Sequence, residues 1–96
     1  MKLVFDGCAL SDLEAVYDWI AKDNPAAAKA VVDRMFESIE HLAEHPHMGH
    51  AARDAGTFEW VVPRLPYIVI YEVHDAADEV VIVAVVHGAQ NRDGEN

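Results

Sequence analysis

The spacing of apolar residues changes period along the chain, and each change predicts a new element. Leu3, Val4 and Phe5 form a short apolar run that reads as a first strand, ended by Asp6-Gly7. Leu10, Leu13, Tyr17 and Ile20 then recur at helical spacing, with Val16 beside them, and predict an amphipathic helix. Ser11 to Glu14 has the form of a capping box, with a start near Ala9 as the alternative. Asn24-Pro25 is the sharpest punctuation in the chain. An asparagine oxygen can take an orphan N–H, and proline suits the first helical position because its missing N–H would be unpaired there. A second helix follows, with Ala28, Val31, Val32, Met35, Ile39 and Leu42 toward the core, closed by Pro46 and Gly49. The short connection folds the two helices into an antiparallel hairpin.

Beyond His50 to Gly56, read as a loop, the period falls to two. Phe58 to Val62, Tyr67 to His74 and Glu79 to His87 are rich in Val, Ile, Tyr and Trp and predict three antiparallel strands. Pro63 and Pro66 bracket one turn, and Asp75 to Asp78 form a hairpin loop. In the middle strand Tyr67, Val69, Tyr71 and Val73 share one face, with Ile68, Ile70 and Glu72 on the other. The order β-α-α-β-β-β predicts an α+β fold of one domain: a two-layer structure with the helical hairpin packed on one face of a mainly antiparallel sheet. A chain of 96 residues buries roughly 65% of its unfolded surface, enough for a single core.

Charge narrows the function classes. Seventeen Asp and Glu against seven Lys and Arg give a net charge of −10, a field that repels polyanions and favours a basic partner. Lone Cys8 excludes an intrachain disulfide, and no apolar run reaches the length of a membrane span, so the expected location is cytoplasmic. The start, Met1 to Asp6, is too short for a signal peptide. His41-Leu-Ala-Glu44-His45 matches the spacing of an inverted zincin, but a catalytic zinc needs a third ligand and a cleft. The simpler reading is a solvated helix end, and no metal or cofactor is expected. Acidic helix residues such as Glu14, Asp18, Glu37 and Glu40 read as solvated faces.

Ala9-Leu10-x-Asp12-Leu13-Glu14, Tyr17, Ile20, Asn24-Pro25, Leu42 to Pro46, Met48-Gly49, Val61 to Pro63, Leu65 to Val69 and Val86 to Ala89 together resemble the RelE/ParE toxins of bacterial type II toxin–antitoxin systems, over nearly the whole chain. The resemblance implies a cognate antitoxin as partner. It implies growth inhibition through DNA gyrase (ParE-like) or by metal-independent cleavage of mRNA at the ribosome (RelE-like), with the short pattern closer to ParE. RNA cleavage needs an acid, a base and positive charge at the phosphate. By position in the family pattern, His87, Arg64, Tyr71 and Arg92 are the candidate catalytic residues. Arg53 and Tyr67 would contact substrate, either tyrosine being able to stack a base, and Phe58 and Trp60 would face the antitoxin if they are not core. Basic residues common in the family are replaced here by Asp6-Gly7-Cys8, His50, Phe58, Trp60, Glu72 and the run Val83 to Val86. The charge therefore carries an alternative: a non-catalytic, degenerate or engineered protein-binding module on the same scaffold. A homodimer paired through a sheet edge and a toxin–antitoxin heterooligomer are both open as assemblies.

Overall fold

The computed structural model describes residues 1–88. The elements run β1 (Lys2–Phe5), α1 (Gly7–Ala21), α2 (Pro25–Glu44), β2 (His50–Ala51), β3 (Phe58–Val61), β4 (Tyr67–His74), a 3-10 turn (Asp75–Ala77) and β5 (Glu79–His87). The five strands form one sheet in the order β1-β5-β4-β3-β2. β1 runs parallel to β5, and every other pairing is antiparallel. The two-layer α+β prediction holds, with two additions. The predicted loop begins with the two-residue strand β2, which pairs His50 with Glu59 and Ala51 with Phe58. The last strand lies inside the sheet between β1 and β4, which accounts for its nearly unbroken apolar run.

Local chemistry explains the helix boundaries. α1 starts earlier than the capping-box pattern suggests. Asp6 is its N-cap, and the carboxylate accepts from Cys8 N–H at 2.9 Å. Asn24 caps α2 as expected, its side-chain oxygen accepting from Ala27 N–H at 3.1 Å with Pro25 in the first turn. Pro46 follows the last turn of α2 and cannot continue it.

The core lies between the helical hairpin and one sheet face. Met35, Ile39 and Leu42 of α2 and Ala9 and Leu13 of α1 pack on Val69, Tyr71, Val80, Ile82 and Val85. The expected stripe of α1 is displaced: Leu10 is 50% exposed and Tyr17 39%, while Ala9 and Leu13 take the buried face. On β4 the predicted alternation holds, with Tyr67, Val69 and Tyr71 in the core. β5 changes phase midway, because the register passes from Ile70↔Ala84 to Tyr71↔Ile82 and leaves Val83 as an extra residue. His87 and Val85 therefore share the core face with Ile82 and Val80 despite the odd spacing.

Phe58 and Trp60 lie on that same face. Phe58 stacks on Tyr71 with ring centroids 5.6 Å apart, and Trp60 donates its indole N–H to the buried Ser38 hydroxyl of α2 at 2.8 Å. Both pack against the core and remain half-buried. Among the described residues no helix is long and apolar enough to cross a membrane.

Candidate functional site

β1 is short, and its register with β5 stops at Phe5↔Ile82. Past that point the outer edge of β5 has no strand beside it. Asp12, one turn into α1, fills the gap: its carboxylate accepts from Val85 N–H at 2.9 Å. An unpaired strand N–H would be costly to bury, so this bond fixes where α1 crosses the sheet. The crossing leaves a cavity of about 520 Å³. Asp12, Val16 and Trp19 of α1 form one wall, and Tyr67, Val85 and His87 form the other.

His87 closes β5 directly opposite Tyr67, and the two rings meet edge-to-face with centroids 5.5 Å apart. The imidazole is half-buried, while Trp19 on the facing wall is 71% exposed. Lys22 sits over the Trp19 ring at 5.3 Å, a cation–π contact at the rim. The groove thus combines an aromatic, largely apolar surface with one imidazole and one carboxylate that already accepts a backbone bond.

The predicted site residues separate in space. His87 and Tyr67 come together in this groove. Arg64 lines a different cavity, between α2 and the β3–β4 turn. Arg53 is exposed in the loop after β2, which is closed by Ala52 N–H to Thr57 C=O and by the Thr57 hydroxyl to Asp54 C=O. Arg92 lies outside the described residues.

Tyr71 is fully buried. Its hydroxyl donates to Pro46 C=O at 2.8 Å and accepts from Gly49 N–H at 3.0 Å. Burial raises its pKa above the ordinary phenol value, partly opposed by the Gly49 N–H. Its ring is buried and stacks on Phe58, and its hydroxyl is bonded on both sides, so in this structure Tyr71 anchors the loop after α2 and presents no surface for a base or a water. Asp12 and Trp19 are groove residues to which the sequence reading assigned no site role. The chain's polar pattern carried no sign that a backbone N–H 73 positions away would require a carboxylate. Among the described residues no group of three His, Cys, Asp or Glu side chains is placed to hold a metal.

Comparisons with known proteins agree with this architecture. Over residues 3–92 the chain matches the family described as ParE toxin of type II toxin-antitoxin system, parDE. Toxin RelE2 of Caulobacter vibrioides is 34% identical over 89 residues, covering 93% of this chain and 97% of its own. Protein Y4kP of Sinorhizobium fredii is 37% identical over 82 residues, covering 85% and 82%. Among solved structures, the chromosomal ParDE TA system from P. aeruginosa superimposes with a TM-score of 0.80 at 22% identity, covering 91% of this chain and 95% of that one. The RelBE2 toxin–antitoxin complex of Mycobacterium tuberculosis gives a TM-score of 0.58 at 29% identity, covering 90% and 95%. With the fold, the element order and the family match all in accord, this chain belongs to the ParE toxins of type II toxin–antitoxin systems, within the wider ParE/RelE group.

Proposed function

We propose that the chain inhibits growth by binding a protein target, DNA gyrase, and that a cognate antitoxin neutralises it in a heterooligomer in the cytoplasm. The observation that carries this reading is the composition of the His87 groove. Metal-independent RNA cleavage needs cationic groups converging on the phosphate beside the acid and base. Among the described residues, no lysine or arginine lines the groove around His87, and Lys22 stands at its rim over Trp19. The carboxylate there holds a strand edge, and the net charge of −10 opposes approach of a polyanion. An exposed tryptophan over an apolar cleft is suited to a protein surface. Relatives of the same fold crystallise with their antitoxins, as in the E. coli RelBE and Mycobacterium tuberculosis RelBE2 complexes, which supports a protein partner for this chain too.

Induced expression, alone and together with the neighbouring antitoxin gene, tests the reading. The expected result is growth arrest relieved by the antitoxin, with gyrase-linked DNA breaks and loss of plasmid supercoiling. His87→Ala and Trp19→Ala should each relieve arrest in folded protein. Cut mRNA with supercoiling intact would replace the gyrase reading with ribonuclease action. Normal growth combined with tight antitoxin binding would favour the non-catalytic module, the alternative that the acidic charge supports.

A further inference from the structure

The second cavity, of about 240 Å³, lies between α2 and the turn joining β3 to β4. Arg34, Glu37, Ser38 and His41 recur along α2 at the spacing of one helix face and form one wall. Pro63 and Arg64 of the turn form the other. Two of the four arginines of a strongly acidic chain therefore meet in one small cleft. Neither guanidinium has an ion-pair or hydrogen-bond partner among the described residues, although acids outnumber bases more than two to one.

The backbone holds Arg64 there at a cost. Leu65 N–H donates to Val62 C=O at 3.1 Å, closing a turn with Pro63 at its second position and Arg64 at its third. Arg64 has φ of 67°, the left-handed conformation that the third position of a type II turn requires and that glycine or asparagine normally supplies. A side chain there is strained, and strain retained at a surface position marks a group with a use. The wall opposite is firm: Ser38 is 7% exposed and takes the Trp60 indole N–H.

We propose that this cleft binds a single carboxylate, the side chain of an Asp or Glu on a polypeptide partner. Guanidinium groups match a carboxylate through paired N–H donors. Charge selects the monoanion over phosphate. Glu37 in the lining offsets one of the two arginines, leaving one guanidinium charge in excess. A dianion would stay uncompensated within a protein of net charge −10. Pro63, exposed beside the buried Val62, supplies apolar surface for the methylene stem of the incoming side chain. The assignment does not depend on gyrase being the target.

The test uses the full chain in two-dimensional proton–nitrogen NMR at constant ionic strength. Trp60 is a built-in reporter, because its indole N–H bonds a serine that lines the cleft, while Trp19 in the other groove is the internal control. The probes are acetyl-Ala-Glu-Ala-amide, its Gln counterpart and inorganic phosphate. The Glu peptide is expected to shift the Trp60 indole signal saturably and leave Trp19 in place, with the Gln peptide inert. Arg34→Gln and Arg64→Gly should each weaken binding about tenfold, the size of one lost charge-assisted bond. Glycine suits the backbone at position 64, so Arg64→Gly removes the guanidinium without breaking the turn, and Arg34→Gln leaves the turn untouched. An equal response to the Gln peptide, no response at Trp60, or binding unchanged in both variants would overturn the proposal. Tighter binding of phosphate than of the Glu peptide would overturn it as well.

Discussion

Tyr71→Phe isolates one hydroxyl whose surroundings are fully specified. The ring stays in the core and only the oxygen is lost. That oxygen takes the Gly49 N–H and donates to the Pro46 carbonyl, joining the strand to the segment that leaves α2. Each bond contributes about 1 kcal/mol net, and leaving the partly buried N–H and C=O without partners adds a further penalty. The expected loss is about 2–3 kcal/mol, which for a domain of this size lowers the melting temperature by roughly 10–20 °C. Thermal and urea unfolding followed by circular dichroism measure it. Tyr67→Phe is the matched control, since that hydroxyl makes no hydrogen bond among the described residues and its removal should cost less than about 0.5 kcal/mol. If the two variants proved equally stable, the buried hydroxyl would not be the tether described here.

Two further measurements probe the same tether, and a third probes the crossing of α1 over β5. Gly49→Ala would place its Cβ 2.5 Å from both Glu59 C=O and the Tyr71 oxygen, and the backbone oxygen cannot give way, so a loss of about 1–3 kcal/mol is expected in urea melts. Burial holds the Tyr71 pKa above its ordinary value of about 10. Its contribution is therefore intact below that value and declines as pH rises through the folded pKa, because the unfolded chain ionises first. Alkaline unfolding curves should show this decline in the wild type and a shallower one in Tyr71→Phe. Asp12→Ala should cost about 1–2 kcal/mol by orphaning Val85 N–H, with Asp12→Asn recovering most of it, as unfolding titrations of the pair would reveal.

Much of the architecture follows from local chemistry and could be read before any coordinates. The Asn24-Pro25 junction ends one helix and opens the next because it supplies an acceptor and a pre-set φ where both are needed. The alternation of β4 survives folding because a strand's side chains must take opposite faces. Family membership was also legible, since it lies in the order of short motifs rather than in any contact.

The site was less legible, for reasons of long-range geometry. A two-residue period cannot announce an extra residue, so the bulge at Val83 that turns His87 to the helix side appears only when β5 is paired with β4. Asp6 looked like a strand end and is a helix cap, because a capping side chain is recognised by the N–H it finds. Tyr71 stood as a site candidate by its place in the family pattern, yet the loop after α2 folds over it and takes its hydroxyl. Arg64 and His87 both lie in the C-terminal half of the chain, but the helices divide the space between them, with α1 lining the cavity at His87 and α2 the one at Arg64. Residue type and local spacing fix which elements form and how they cap. Which side chains end up facing one another depends on strand register and helix crossing, and these are set by contacts between residues dozens of positions apart.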